Sequence, residues 1–179
     1  MASITAMTAP PTRYALTGRF FHWSVALLMA AMFITIWCRG LTEPNTPERA
    51  FWTSAHTSCG LLVFGLTVLR LLIRTPSPEV AESPFAGLLR LAMHRVLLVV
   101  TLLVPVAGFV RMAARNRVTD FFGAAIPSPF GDNPFLYHAA RALHGDAMQI
   151  IVLTLIGLHV AAALAHHFIL KDDTLRRMT

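Results

Sequence analysis

Residues 144–170 read HGDAMQIIVLTLIGLHVAAALAHHFIL, and from position 147 onward their only ionisable side chains are histidines. A helix that crosses the hydrocarbon core of a bilayer needs about 20 apolar residues, so this run is long enough to span a membrane. Because hydrocarbon offers no partner to backbone N–H and C=O groups, a spanning run must be helical. The stretch therefore predicts a transmembrane helix that carries histidines.

Three other apolar runs reach a similar length once their flanks are included, and they cover residues 20–37, 52–73 and 96–112. Together the four runs predict an all-α membrane protein, one domain over residues 1–179 with four transmembrane helices at about 14–38, 51–74, 88–113 and 142–170. Segments 39–50, 75–87 and 113–143 contain proline and are predicted to be loops. The polar segment 1–12 has no apolar core, so it is not interpreted as a cleavable signal peptide.

The composition is typical of a membrane protein. Hydrophobic residues make up 55% of the chain and charged residues 13%, about half of the usual charged share. The formal net charge is +6, and the basic residues lie between the apolar runs. Contact with membrane lipid accounts for this placement, and no nucleic-acid partner is expected.

The distribution of Arg and Lys predicts the orientation in the membrane. Nine of the 15 Lys and Arg residues lie on the side that holds both chain termini, and six lie on the other side. Because cytoplasmic flanks are enriched in these residues, both termini are predicted to be cytoplasmic. We call the end of the bundle with the termini the inner end and the opposite end the outer end.

Four histidines lie in the predicted helices at two depths. His56 and His144 are near the outer end, whereas His22 and His159 lie nearer the inner end. At 1.5 Å per residue, His144 and His159 are about 22 Å apart along the helix axis. An ionisable residue inside a membrane span is costly and therefore indicates a function.

Two histidine pairs at different depths suit two b-type haems, each with imidazole at both axial positions of the iron. Such a haem transfers electrons and needs no CxxCH attachment motif. Two alternatives stay open at this point. Each histidine can be an interhelical hydrogen-bonding residue, or the set can bind zinc, although zinc needs three or four ligands at one level.

Around these histidines the sequence resembles the bacterial cytochrome b561 family, and within it the members that oxidise superoxide. The resemblance covers nearly all of residues 14–178. It rests on the segments HW (22–23), RG (39–40), HTSCG (56–60), RLL (70–72), PVAG (105–108), GLHVAAALAHHF (157–168) and TLRRM (174–178). The segment 157–168 is the most specific of these.

The resemblance implies a four-helix membrane bundle in which His22, His56, His144 and His159 are the axial ligands of two haems b. It implies a multi-pass oxidoreductase of the bacterial inner (cytoplasmic) membrane. Electrons would pass between a periplasmic donor, expected to be superoxide, and membrane ubiquinone. The alternative is a haem-b membrane subunit that relays electrons for a hydrogenase- or dehydrogenase-like partner.

A third class is a haem-free transporter or structural membrane protein, which would show no haem absorption. The chain contains no GxGxxG motif and no P-loop. NAD(P)H or flavin chemistry within this chain is therefore not expected.

The fourth helix departs from the family pattern. Relatives usually have an acidic residue after the third ligand and one residue fewer between the two ligands, whereas here Gly145 follows His144 and the spacing is 15. At about 100° per residue, the added residue turns His159 by about 100°. We therefore predict a π-bulge between Gly145 and Leu158, or a later helix start that leaves His144 on the first turn.

Further side chains are candidates for roles around the haems. Arg39 and Arg70 lie near helix ends and are candidate partners of haem propionates, with snorkelling to the interface as the alternative. His94, His166 and His167 are candidates for the quinone side, where reduction takes up protons. A hydrated interfacial patch is the alternative for these three.

The outer end of the third helix carries a basic cluster. Arg111, Arg115 and Arg117 crowd together there, with only Asp120 nearby. A local positive field raises the rate at which small anions arrive, so these residues are candidates for anion steering. Binding of lipid headgroups is the alternative.

Two further features have ordinary explanations in membrane helices. Pro105 and Gly108 lie inside the third helix and predict a local kink. Cys38 and Cys59 are interpreted as buried thiols, with a disulfide as the alternative.

Overall fold

The computed structural model describes residues 13–73 and 83–179. The helices are α1 (Leu16–Gly40), α2 (Pro47–Leu72), α3 (Pro84–Ala113), α4 (Pro134–Leu143) and α5 (Asp146–Ala165), followed by a π-helical turn at His166–Leu170. A short antiparallel hairpin, β1 (Thr119–Phe121) and β2 (Ala124–Ile126), lies between α3 and α4. Segment 1–12, which is not interpreted as a signal peptide, lies outside the described residues, and so does most of the predicted loop 75–87.

Within the described ranges, four helical units are long and apolar enough to cross a membrane. They are α1, α2, α3 and the composite unit Pro134–Leu170, which joins α4, α5 and the π-helical turn. The predicted fold, a mostly helical membrane protein with four spans, is confirmed.

Three helices begin with the same local signal, a polar capping residue followed by proline at the first helical position. The pairs are Thr46–Pro47, Ser83–Pro84 and Asn133–Pro134, and each capping side chain accepts a hydrogen bond from a backbone N–H three residues on. Proline fits this position because first-turn N–H groups have no intrahelical partner. These helices therefore start at 47, 84 and 134 rather than at the predicted 51, 88 and 142.

The helices pack as a row. α1 packs on α2, α2 packs on α3, and α3 packs on α4 and α5. In the described part of the chain, no Cα atom of α1 or α2 lies within 8 Å of α4 or α5. The row therefore leaves a gap between its first two helices and the composite fourth unit.

The fourth unit is broken at His144 and Gly145. His144 ends α4 with φ −142° and ψ 58°, and Gly145 precedes α5 with φ −135° and ψ −172°. A Cβ atom at Gly145 would lie 2.8 Å from the carbonyl oxygen of Arg141, so the break requires glycine. The glycine that departs from the family pattern is thus explained by the local backbone.

The predicted π-bulge between Gly145 and Leu158 is wrong, because α5 is α-helical over Asp146–Ala165 and the π-helical turn comes after it. The extra residue between the two histidines is absorbed at the break instead. The predicted later helix start is closer to the structure. However, His144 lies between two helices and not on the first turn of α5.

The predicted loop 113–143 is largely ordered, since it contains the hairpin and α4. The backbone N–H of Phe122 donates to Oγ of Ser58 at 2.9 Å, and the Ser54 hydroxyl donates to the Asp120 carboxylate. Hydrogen bonds from Ser54 and from the backbone N–H of Gly123 lower the pKa of Asp120. The hairpin is thereby fastened to α2 at the outer end.

Candidate functional site

At the outer end, the imidazole rings of His56 and His144 have centroids 5.9 Å apart. Nδ1 of His144 lies 2.8 Å from the carbonyl oxygen of Val104, and Nδ1 of His56 lies 3.1 Å from that of Met32. A carbonyl oxygen only accepts, so each Nδ1 carries a proton and each Nε2 keeps its lone pair. Metal-ligating histidines in proteins are held in this way.

The spacing of these rings fits an iron between them. With metal–nitrogen bonds of about 2 Å, two opposed imidazoles have their ring centres roughly 6 Å apart. His56 is on α2 and His144 lies between α4 and α5. Over the described residues, α2 has no Cα atom within 8 Å of α4 or α5. A cavity of about 380 Å³ with mainly apolar walls includes both rings, and this volume is in the range of cofactor sites.

Gly108 of α3 makes room for the outer pair. A Cβ atom there would lie 2.8 Å from Cε1 and 3.0 Å from Nδ1 of His144. The ring of His144 therefore packs on the backbone of α3, one turn from the Val104 carbonyl that binds it. The sequence interpretation of Gly108 as a kink residue missed this role, although its PVAG segment belongs to the family resemblance.

At the inner end, His159 of α5 lies beside two histidines. The ring centroid of His22 is 6.1 Å away and that of His94 is 5.7 Å away. α3, which carries His94, packs directly on α5, whereas α1, which carries His22, has no Cα atom within 8 Å of α5 where the chain is described. The pair His22–His159 therefore spans a gap between helices, as the outer pair does.

Histidines of the inner end do not form a zinc-type cluster. Within residues 13–73 and 83–179, no group of three or more His, Cys, Asp or Glu side chains is arranged to hold one metal ion. Cys38 and Cys59 carry free thiols.

Four arginines line the outer cavity together with the outer histidine pair, namely Arg39, Arg111, Arg115 and Arg117. Nη1 of Arg111 donates to the carbonyl oxygen of His144 at 2.7 Å. This carbonyl is left without a helical partner by the break, so Arg111 satisfies it. Arg39 donates from Nε to the hydroxyl of Thr53 at 3.0 Å.

The other two arginines are differently engaged. The guanidinium of Arg115 lies over the ring of Tyr137, 4.0 Å from its centroid, in a cation–π contact. Arg117 is exposed, and its side chain has no hydrogen bond or ion pair in the part of the chain that the structure describes. Of the predicted steering cluster, Arg117 is thus the member most available to an arriving anion.

Of the three predicted quinone-side histidines, His166 and His167 are neighbours in the π-helical turn, whereas His94 lies on α3. His166 Nδ1 lies 2.5 Å from the carboxylate of Asp172, and this hydrogen bond, with one from Thr174, lowers the pKa of Asp172 to about 2. His94 instead approaches His159, and among the described residues no ring contact or hydrogen bond joins it to His166 or His167.

An open pocket of about 300 Å³ lies near the inner end. It is lined by His167, Phe168, Lys171, Asp172 and Arg176. Arg70, a predicted propionate partner, is exposed in the last turn of α2.

Comparison with known proteins gives matches along most of the chain. The sequence profile described as "Prokaryotic cytochrome b561" matches residues 13–179. The probable superoxide oxidase CybB of Yersinia pestis is 31% identical over 161 residues, which cover 88% of this chain and 90% of that protein. Cytochrome b561 homolog 2 of Escherichia coli (strain K12) is 31% identical over 185 residues, covering 97% and 94% of the two chains. Cytochrome b561 homolog 1 of the same organism is 30% identical over 171 residues, covering 93% and 96%.

Proposed function

Because this chain belongs to the prokaryotic cytochrome b561 family, we propose that it is a di-haem superoxide:ubiquinone oxidoreductase of the bacterial inner membrane. Family membership and the four apolar spans make it a multi-pass bacterial membrane protein of electron transfer, an oxidoreductase that binds haem b. We propose further that the protein binds two haems through four histidines and that both of its termini are cytoplasmic. Superoxide as the electron donor and ubiquinone as the acceptor are also proposed.

The observation that carries the proposal is the pairing of four histidines across gaps. The rings of His56 and His144 are 5.9 Å apart and those of His22 and His159 are 6.1 Å apart. Both distances suit an iron between two imidazoles, and neither pair lies on helices that contact each other within the described residues. We infer that each pair would hold one haem, with the two imidazoles as ligands of its iron.

Haem with two imidazole ligands exchanges single electrons and leaves no open position for O2. The protein must hold these imidazole side chains in a fixed position and orientation. The carbonyl groups of Met32 and Val104 fix the tautomer and direction of the outer imidazoles, and the α3 backbone at Gly108 supports the ring of His144.

Superoxide suits a site of this kind because it is a small anion that can give up an electron without binding to iron. Two superoxide ions each release one electron and leave as O2, and one ubiquinone takes up two electrons and two protons to become ubiquinol. The proposed roles of Arg111, Arg115 and Arg117 are to attract the anion, while Arg39 and Arg70 hold propionates. Arg39 and the steering cluster line the outer cavity together, which supports their placement beside the outer haem. Arg70 is in the last turn of α2, at the inner end.

We propose the inner end as the quinone side. Quinone reduction needs proton donors close to the inner haem, and His94, His166 and His167 are the titratable candidates there. The contact of His94 with His159 and the hydrogen bond of His166 to Asp172 support this placement. A haem-b subunit that relays electrons for a hydrogenase- or dehydrogenase-like partner is the competing function.

The test is reduction of the purified protein by an enzymatic superoxide flux, followed by optical absorption at the haem bands. We expect haem reduction by superoxide alone and rapid reoxidation when a soluble ubiquinone is added. Superoxide dismutase is the control, since it should abolish the reduction. A protein that superoxide does not reduce, but that a docked dehydrogenase does, would support the relay function instead.

A further inference from the structure

The C-terminal residues 172–179, which we call the C-terminal strap, return from the end of α5 to the start of α1. Three hydrogen bonds fasten the strap there: Tyr14 N–H to the Arg177 carbonyl at 3.1 Å, Trp23 Nε1–H to the Met178 carbonyl at 2.8 Å, and Arg19 to the Thr179 carbonyl. The first and last helices of the row are thus joined at the inner end.

The chain reverses direction between α5 and the strap. The π-helical turn ends at Leu170 and is followed by Lys171, which has φ 55° and ψ 35°, a left-handed conformation that is uncommon for a residue with a side chain. Asp172 then binds back to His166 twice, through its backbone N–H to the carbonyl at 3.1 Å and through its carboxylate to Nδ1 at 2.5 Å. The origin of the strap is therefore fixed to the end of α5.

One residue of α1 contacts both the strap and the proposed inner site. The indole of Trp23 donates to the strap, and its ring packs edge-on against the ring of His22 at a centroid distance of 5.4 Å. Because α1 and α5 have no Cα atoms within 8 Å of each other over the described ranges, helix packing links His22 to His159 only indirectly, through α2 and α3. The strap joins α1 to the end of α5 directly at this end.

We propose that the C-terminal strap, acting through Trp23, positions His22 against His159 and thereby sets the geometry of the inner haem. Trp23 is a positioning residue, since it acts through His22 and through the strap. This inference rests on the proposed function, because it takes His22 and His159 to be the inner axial ligands.

The experiment compares low-spin EPR spectra and midpoint potentials of purified variants. Trp23→Phe removes the N–H donor and keeps an aromatic ring, and Trp37→Phe is the matched control at the other end of α1. A shortened chain without residues 174–179 removes the part of the strap that contacts the start of α1. The signals are assigned with His56→Ala and His22→Ala, which should each leave one haem.

We expect Trp23→Phe and the shortened chain to shift the inner signal and the inner potential in the same direction, with the outer haem unchanged. Trp37→Phe should change neither. Trp23→Phe introduced into the shortened chain should add no further shift, because two changes that remove one interaction are not additive.

Unchanged inner signals in both variants would overturn the inference, as would a full additional effect of Trp23→Phe in the shortened chain. If the shortened chain does not accumulate, the comparison of Trp23→Phe with Trp37→Phe decides the question. A shift of the inner signal in Trp23→Phe alone supports the inference, and no shift overturns it. Retention of both haems in His56→Ala or His22→Ala would reject the ligand assignment, and with it the proposed function, independently of the strap.

Discussion

The imidazole of His144 lies directly on the backbone of Gly108: a Cβ atom at Gly108 would stand 2.8 Å from Cε1 and 3.2 Å from Nε2 of that ring. Nε2 is the atom that we propose as the outer haem ligand. A single methyl group on α3 is therefore enough to displace it.

We expect Gly108→Ala to weaken binding of the outer haem and to leave the inner haem in place. Overpacking of this kind costs about 1–3 kcal/mol, which corresponds to roughly fivefold to 150-fold weaker binding if the whole cost falls on the haem-bound state. The measurement is the haem-to-protein ratio with the optical spectrum. Gly65→Ala is the control, since a Cβ atom there meets nothing within 4 Å. A full haem complement with an unchanged spectrum in Gly108→Ala would contradict this role.

The four spans were predictable because apolar runs of sufficient length must be helical in hydrocarbon. The pairing by depth of His56 with His144, and of His22 with His159, also followed from position along the helices, and the structure brings these rings together. The approach of His94 to His159 was not predicted, because depth alone does not give the direction of a side chain.

The missed features depend on local backbone geometry and on contacts distant in sequence. The capped prolines that start three helices could have been read from the Thr-Pro, Ser-Pro and Asn-Pro pairs. The break at His144 could not, because a π-bulge and a break both absorb one residue. The role of Gly108 and the return of the strap to Trp23 depend on tertiary packing.

Steering of superoxide by the outer arginines predicts a strong dependence on ionic strength. The rate of haem reduction by a superoxide flux should fall as salt is added, because salt screens the exposed positive field. Reversing two charges of the cavity, Arg115→Glu with Arg117→Glu, should flatten this dependence. Arg141→Glu is the control, since this arginine is at the outer end but outside the cavity lining. A rate indifferent to both salt and the double reversal would reject steering.

Proton delivery at the inner end predicts a specific kinetic defect. Replacing His166, His167 and His94 together by Gln should slow reoxidation of the haems by ubiquinone at least tenfold, since general acids contribute about 10²–10⁴. Both haems should still be bound, as judged by the haem-to-protein ratio. The same change at His138, which is exposed on α4, serves as the control. Normal reoxidation kinetics in the triple variant would show that these histidines are not proton donors to the quinone.

The contact between His166 and Asp172 predicts a pH-dependent opening of the strap. The pKa of Asp172 is lowered to about 2, with the hydrogen bond from His166 as the largest cause, so the folded state favours the carboxylate. A depressed carboxyl pKa contributes stability that is present above about pH 4, the unfolded pKa, and is lost as pH falls towards 2.

This opening can be followed by hydrogen exchange of the strap, including the Thr174 amide, which donates to Asp172. At each pH, the protection of the strap amides is compared between the wild type and Asp172→Asn. The excess protection of the wild type should decrease as the pH falls from 5 to 3. The comparison at equal pH removes the intrinsic pH dependence of exchange. Protection that differs equally at both pH values would count against a role for the ionised carboxylate.

The haem content of single histidine variants tests the central claim most directly. The wild type should bind two six-coordinate haems. His56→Ala and His144→Ala should each leave only the inner haem, His22→Ala and His159→Ala should each leave only the outer haem, and His94→Ala should keep both. Two six-coordinate haems in any of the first four variants, or the loss of one in His94→Ala, would contradict the assignment.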